Sequence, residues 1–184
     1  MAALSLKPYL EKSNGILPIS SVLRVVKEAA RGLDAAQKQG ILHSNVSLNN
    51  ILLDSDGNVK VSDFSFDYSL YQSSEDKSKL LDFFDPQYIS LEMVKDGDSC
   101  LAGDIYSLGA VFYHLITGVP PFPGDDPEKI IKERLERTPI GASKLRSEIP
   151  QEISDYIASM MSDEKTSRPS SFKDIADKIE SFIN

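Results

Sequence analysis

The sequence predicts a mainly α fold: a helical bundle packed around one central buried helix, with a short β-hairpin beside a polar loop. The segment LAGDIYSLGAVFYHLITG, residues 101–118, is apolar on nearly all faces, as expected of a helix inside a core. Four other segments carry helical apolar spacing or helix-start signals, and one Asp-Gly pair separates two strand-forming runs. With 184 residues, 41% of them hydrophobic, the chain is expected to form a single domain over 1–184.

The first half of the chain reads as a helix, a polar loop, a hairpin and a long loop. Apolar residues recur every three or four positions between residues 18 and 40, with Pro18 suited to a first turn and Gly40 to a stop. The polar cluster HSNVSLNN follows, and such clusters form either ordinary turns or positioned sites. Asp56-Gly57 then predicts a hairpin turn. Periodicity disappears after Ser65, which predicts a long loop.

The second half reads as the central helix followed by three more helices. A proline-rich stretch, GVPPFP, breaks the chain after the central helix. The later helices open at Asp126-Pro127-Glu128, Pro150-Gln151-Glu152 and Ser170-Ser171.

Composition excludes several classes of function. The net charge of -8, with Lys and Arg scattered, disfavours binding to nucleic acid or to an anionic membrane. The single cysteine, Cys100, cannot form an internal disulfide, which suits a reducing compartment. No apolar stretch at the amino terminus resembles a signal peptide, so a cytoplasmic location is expected.

Ordered motifs along the whole chain resemble the carboxy-terminal lobe of a protein kinase. In kinases a catalytic loop H-R-D, with a lysine two positions on and an asparagine five positions on, precedes a hairpin, D-F-G and A-P-E. The matching positions here are His43-Ser44-Asn45, Ser47, Asn50, Asp63-Phe64-Ser65 and Ser90-Leu91-Glu92, followed by Asp104 and by Arg168-Pro169. The segment before the loop resembles bacterial serine/threonine kinases.

The resemblance also shows which catalytic residues have changed. Asn45 stands where the catalytic aspartate accepts the substrate proton, and an amide cannot take a proton at neutral pH. Ser47 stands where a lysine balances charge on the transferring phosphate. Ser44 replaces the arginine that grips a phosphorylated activation loop, and Ser65 replaces the flexible glycine of D-F-G. These changes predict a pseudokinase.

The two positions that bind metal in active kinases keep their usual residue types in this sequence. Asn50 and Asp63 match the two residues that hold magnesium ions in active kinases. An alternative is that Asp63 only ends a strand and Asn50 only satisfies loop backbone. The glycine-rich loop and strand lysine of the amino-terminal lobe have no match, so we expect that lobe to be absent from this chain. No cofactor is therefore expected here, whereas Mg-ATP binding remains open for a full-length protein.

Four matched residues have structural roles in the resemblance. His43 packs and hydrogen-bonds within the loop. Asp104 is expected to accept hydrogen bonds from the loop backbone, to cap a helix, or to do both. Glu92 and Arg168 are expected to form a buried ion pair. Serines and tyrosines of the long loop, namely Tyr68, Tyr71, Ser73, Ser74 and Ser78, could be modified, although a solvated loop is the simpler interpretation.

Three functions follow from these observations. The first is a catalytically impaired regulatory or binding module with an unidentified protein partner. The second is a serine/threonine kinase lobe with weak or atypical ATP-dependent phosphotransfer. The third is a docking surface on the helix around residues 127–136, whose charged residues include Glu128, Lys129, Lys132 and Glu133.

Overall fold

The computed structural model describes residues 4–13, 15–64 and 84–184. Within these ranges the chain is mainly helical with one small sheet, so the predicted fold class is confirmed. The helices are α1 (Leu6–Lys12), α2 (Ile19–Gln37), α3 (Leu91–Asp96), α4 (Leu101–Thr117), α5 (Pro127–Glu136), α6 (Ala142–Leu145), α7 (Gln151–Met160) and α8 (Phe172–Ile183), with a 3₁₀ turn at Lys165–Ser167. The strands are β1 (Leu4–Ser5), β2 (Ile51–Leu53) and β3 (Val59–Val61).

Helix α4 is the predicted central helix. Its residues from Gly103 to Ile116 are buried except for His114, which is half-buried. Helices α2 and α7 pack against it, and α8 packs along α2, where Lys27 Nζ and Glu180 Oε2 lie 2.7 Å apart. A helix apolar on almost every face is stable in water only when surrounded in this way. The core therefore encloses α4.

The hairpin forms where the sequence predicts it. Strands β2 and β3 are antiparallel with Ile51 opposite Val61, and Gly57 adopts a φ of 77° in the turn, a left-handed conformation that favours glycine. Strand β1 pairs with the other edge of β2, with Leu4 opposite Leu53. The sheet thus has three strands, one more than the predicted hairpin.

Several helix ends carry the signals identified in the sequence. The Asp126 side chain caps α5 by accepting from the backbone N–H groups of Glu128 and Lys129, at 3.0 and 3.4 Å. Ser171 caps α8 by accepting from the N–H of Asp174 at 3.0 Å. Such caps satisfy backbone donors that have no partner within the helix.

Among the helices that the structure describes, none combines the length and the apolar character of a membrane-spanning segment.

The packing of α4 on α7 depends on Gly109. A Cβ at this position would lie 2.8 Å from Met160 Cβ and 3.1 Å from Met161 Cγ. Helix propensity favours alanine by about 1 kcal/mol, but overpacking of a close helix contact costs about 1–3 kcal/mol. We expect Gly109→Ala to lower the free energy of unfolding by up to about 2 kcal/mol, as measured by urea denaturation.

Gly32 provides a matched control, since it also lies inside a long helix. A Cβ there would lie 3.3 Å from Val61 Cγ2, a less severe approach than the 2.8 Å contact at Gly109. We expect Gly32→Ala to change stability less than Gly109→Ala. Equal effects of the two substitutions would show that the α4–α7 contact is not specially close.

Candidate functional site

The polar loop at residues 43–50 is held against the amino-terminal end of α4 by a buried carboxylate. Asp104 Oδ2 accepts from the backbone N–H of His43 and Oδ1 from that of Ser44, both at 2.7 Å. Ser44 has a φ of 64°, a conformation that costs energy in a residue other than glycine and that persists where its surroundings impose it. The residue at the N-cap position of α4 is Cys100, so the alternative that Asp104 caps this helix is wrong.

Burial raises the pKa of Asp104 to about 6, because loss of solvation outweighs the two N–H groups that stabilise the charged form. The folded state therefore binds this proton more tightly than the unfolded chain, in which the pKa is about 3.9. The contribution of Asp104 to stability is full below about pH 4 and is lost as the pH rises through about 6.

We expect the stability difference between the unaltered protein and Asp104→Asn to shrink by roughly 2–3 kcal/mol between pH 4 and pH 7. Subtracting the two free energies of unfolding removes the contribution of every group that titrates alike in both proteins. Denaturation at several pH values measures it, and carbon-13 NMR of the Asp104 carboxyl reports the same titration directly. A carboxyl resonance that titrates below pH 4 would contradict the expectation.

His43 serves the loop through both of its ring nitrogens. The backbone N–H of Asn45 donates to Nδ1 at 3.2 Å, which leaves the proton on Nε2 to donate to the Ser62 carbonyl at 2.9 Å. The ring lies 4.7 Å from that of Phe64, and burial lowers the pKa of His43. Both ring nitrogens of His43 are therefore engaged in hydrogen bonds within the loop.

Asn45 and Asn50 occupy fixed positions in this loop. Asn50 Nδ2 donates to the backbone carbonyl of Asn45 at 2.9 Å. The backbone N–H of Ser62 donates to the Asn50 carbonyl at 2.9 Å, and the Ser62 hydroxyl donates to Asp63 Oδ2 at 2.9 Å. Hydrogen bonds therefore connect Asn45, Asn50 and Asp63 through Ser62, and the structure brings these three predicted site residues together.

Ser44 and Ser47 lie on either side of Asn45. Ser47 is buried with 3% of its surface exposed, and its carbonyl accepts from the N–H of Asn50 at 3.2 Å. The Ser44 hydroxyl lies 2.5 Å from that of Ser99, in the segment before α4. Neither residue carries a positive charge, so these two positions supply no cation to a phosphate.

Asn50 and Asp63 fit the donor chemistry of a magnesium site. Because the Asn50 amide nitrogen donates to the loop backbone, its Oδ1 is the acceptor end of a fixed amide. Asp63 is exposed and adds a carboxylate, and Mg²⁺ prefers such oxygen ligands while retaining several waters. No group of three or more His, Cys, Asp and Glu residues able to hold a metal occurs in the described part of the chain.

A buried ion pair joins α3 to the segment that leads into α8. Arg168 Nη1 donates to Glu92 Oε1 at 2.5 Å and Nη2 to Oε2 at 3.2 Å, while the two side chains are 0% and 3% exposed. Arg168 also donates to the carbonyls of Ser162 and Ala102, at 2.8 and 2.7 Å. The expected pair is thus present, and each guanidinium nitrogen of Arg168 donates to at least one acceptor.

The structure thus contains three features: a loop held by Asp104 of α4, a hairpin that leads to Asp63, and the buried Glu92–Arg168 pair. A family model described as the protein kinase domain matches residues 1–179. The chain belongs to the protein kinase family. The residues described above therefore lie in a kinase-like carboxy-terminal lobe.

Known kinases resemble the chain along most of its length. It is 31% identical, over 92% of its residues, to a probable serine/threonine-protein kinase of Clostridium perfringens. It is 32% identical over 78% of its residues to the serine/threonine-protein kinase PknL of Mycobacterium tuberculosis, and 32% identical over 76% to the serine/threonine/tyrosine-protein kinase HT1 of Arabidopsis thaliana. The chain spans 24% of the first relative's length and 36% of the other two.

Sequence reasoning missed two residues of the candidate site. Ser62 links Asn50 to Asp63, and its place directly before Asp63 could have drawn attention to it. Ser99 contacts Ser44 from a segment 55 positions away, and nothing in its local sequence signals this. Ser65 and the serines and tyrosines proposed for modification lie outside the described residues.

Proposed function

We propose that this chain is the carboxy-terminal lobe of a pseudokinase and acts as a binding or regulatory module instead of transferring phosphate. The observation that supports the proposal most strongly is Asn45. This amide occupies the place of the catalytic carboxylate in a loop whose supporting contacts are intact.

The contacts around Asn45 favour this proposal over a local loss of structure. Asn50 holds its carbonyl, and His43 Nδ1 accepts from its backbone N–H. A positioned general base contributes roughly 10²–10⁴ to the rate, and an amide cannot accept the proton. The loop therefore keeps these contacts without supplying a base, which supports binding over catalysis.

The neighbouring serines support the same proposal. In active kinases the position of Ser47 carries a positive charge that stabilises the transferring phosphate, and such electrostatic stabilisation is usually a large part of catalysis. The hydroxyl of Ser44 is engaged with Ser99. Because residue 44 is a serine, a phosphorylated activation loop would have no guanidinium at this position to bind its phosphate. The serines at positions 44 and 47 thus lack the positive charges that bind phosphate in active kinases, while the loop keeps its hydrogen bonds.

A second function, weak or atypical serine/threonine phosphotransfer, is favoured by Asn50 and Asp63. A magnesium ion held by these two residues would neutralise charge on nucleotide phosphates and orient them. Positioning alone contributes part of the catalysis of phosphoryl transfer. In this second function Mg-ATP binds in the full-length protein, and Asn45 only hydrogen-bonds the attacking hydroxyl.

Nucleotide binding can be measured separately from catalysis. If Asn50 and Asp63 hold Mg-ATP, the thermal midpoint of the full-length protein rises with ligand concentration, since the ligand binds only the folded form. We expect Asp63→Asn to abolish that rise and the exposed Asp56→Asn, in the hairpin turn, to leave it unchanged. A rise that survives Asp63→Asn would place the nucleotide elsewhere.

A phosphotransfer assay tests the leading proposal. The full-length protein is incubated with radiolabelled ATP, a generic serine/threonine substrate, and Mg²⁺ or Mn²⁺. We expect no transfer above background with either metal. Turnover comparable with that of ordinary kinases would overturn the proposal in favour of the second function.

A further inference from the structure

A cavity of about 620 Å³ lies between α5, the segment at residues 138–141, and α7. None of the catalytic-loop residues described above lines it. Its walls are largely apolar, and they include Tyr113, Phe122, Ile140, Ala142, Ile157 and Met161. Volumes of about 300–1,000 Å³ with mostly apolar walls are typical of pockets for small molecules. The size and lining of this cavity therefore suit a small molecule better than a folded partner.

Arg134 on α5 lines this cavity as a buried cation. It is 3% exposed, and its Nη2 donates to the carbonyls of Pro86 and Gln87 at 3.1 and 3.2 Å. Its Nε and Nη1 are buried, and neither has a hydrogen-bond acceptor among the described residues. The guanidinium carbon lies 5.1 Å from the centre of the Tyr106 ring and 5.6 Å from that of Phe122.

The charge of Arg134 is not matched by an ion pair within the described residues. Burial lowers its pKa, and the carboxylates that oppose this from a distance include Glu92, Asp163 and Asp85. Glu92 is already paired with Arg168. A buried charge without a partner is costly, so an anionic group placed in the adjacent cavity would be stabilised.

Arg137 supplies donors that a ligand can reach. Its side chain is 44% exposed, lines the same cavity and lies 5.4 Å from the centre of the Phe122 ring, although it also pairs with Glu133. Positive charge is therefore concentrated near Phe122. Asp163 and Glu164 also line the cavity and would repel a ligand that carries several negative charges.

We propose that this cavity binds an apolar small molecule that bears a single carboxylate. The apolar body fills the space between α5 and α7, and the carboxylate lies near Phe122, where Arg137 offers hydrogen bonds and Arg134 offers a buried charge. A neutral ligand would leave Arg134 uncompensated, and a dianion would meet Asp163 and Glu164. This site is independent of the catalytic loop and of the proposed loss of phosphotransfer.

Calorimetric titration of the full chain with three probes that share a biphenyl body and differ in the charge of the head group tests the proposal. The probes are biphenylcarboxylate, the neutral biphenylmethanol and the dianionic biphenylphosphonate. We expect saturable, one-to-one binding of the carboxylate, tighter than that of the alcohol by roughly tenfold or more, the effect of one charge-assisted hydrogen bond. The phosphonate is expected to bind more weakly than the carboxylate.

Two variants locate the site. Ala158 is exposed on α7 and lines the cavity, so Ala158→Trp should fill the space without disturbing the core and should abolish binding. Arg134→Met removes the charge while keeping the length of the side chain, and should weaken carboxylate binding by roughly tenfold or more. If Arg134→Met does not fold, Arg137→Gln tests the charge. Arg31→Gln, an exposed arginine on α2, is the control and should change nothing.

Several outcomes would overturn the proposal. These are the absence of saturable carboxylate binding, equal affinity for the alcohol, tighter binding of the phosphonate, and binding that survives Ala158→Trp. Dimerisation in size-exclusion chromatography that Ala158→Trp abolishes would also overturn it, because a second copy of the chain would then occupy the groove.

Discussion

Replacing Arg168 by methionine is expected to lower the free energy of unfolding by about 3–5 kcal/mol, the usual result of removing one partner from a buried ion pair. Glu92 would remain 4% exposed with an uncompensated charge, and the carbonyls of Ser162 and Ala102 would lose their donor. Methionine fills a similar volume, so the loss would report on charge and hydrogen bonds more than on packing. Urea denaturation followed by circular dichroism measures it.

An exposed pair on the same molecule is the control. The side chains of Lys173 and Asp177 are both 65% exposed, and such pairs contribute little because water and salt screen their charges. Lys173→Met should therefore leave the free energy of unfolding nearly unchanged. If Arg168→Met and Lys173→Met had similar effects, the buried pair would not be the connection between α3 and the α8 segment that we infer.

Restoring a carboxylate with Asn45→Asp is expected to raise phosphotransfer by roughly 10²-fold or more if the rest of the site is competent, because a general base contributes roughly 10²–10⁴. The side chains are nearly the same size, and the loop contacts of Asn45 that involve its backbone remain. Adding Ser47→Lys restores the missing cation, although Ser47 is buried and the longer side chain must find a path out. Initial rates of phosphate transfer in the full-length protein measure both effects.

Asn49→Asp is the matched control for this experiment. Asn49 lies in the same loop and is exposed, so the substitution makes the same change in charge away from the reacting position. No gain is expected from it. A gain with Asn45→Asp alone would show that Asn50, Asp63 and the nucleotide are already in place. No gain with either Asn45→Asp or the Asn45→Asp, Ser47→Lys pair would show that the site has decayed further.

The elements that were predicted correctly are those that depend on residue types close together in the sequence. The periodicity of α2, the all-round apolar surface of α4 and the Asp56-Gly57 turn each identified an element that the structure contains. Strand β1 has only two residues and exists because it pairs with β2, about 50 positions away. Pairing over such a distance leaves no local signal. The short helices α1, α3 and α6 were missed for a related reason, since seven, six and four residues show little periodicity.

The positions of the site residues followed from ordered motifs, but their contacts did not. The motif order located Asn45, Asn50 and Asp63, whereas the bond from Asn50 to the Asn45 carbonyl and the bridge through Ser62 required coordinates. The burial of Arg134 was not predicted, because the sequence analysis interpreted its helix, α5, as an exposed docking surface. That helix buries Ile130 and Arg134 while exposing Glu128, Lys129 and Lys132. Charge in a sequence does not show which face of a helix will be buried.

The initial rate of phosphate transfer by the unaltered full-length protein, compared with that of Asp63→Asn under the same conditions, tests the central claim most directly. The comparison separates transfer at this site from a contaminating kinase, since only the former needs Asp63. Our account predicts that both proteins give the same background signal with Mg²⁺ and with Mn²⁺. Transfer at the rate of ordinary kinases that disappears in Asp63→Asn would contradict it, because a site containing Asn45 would then be performing the chemistry.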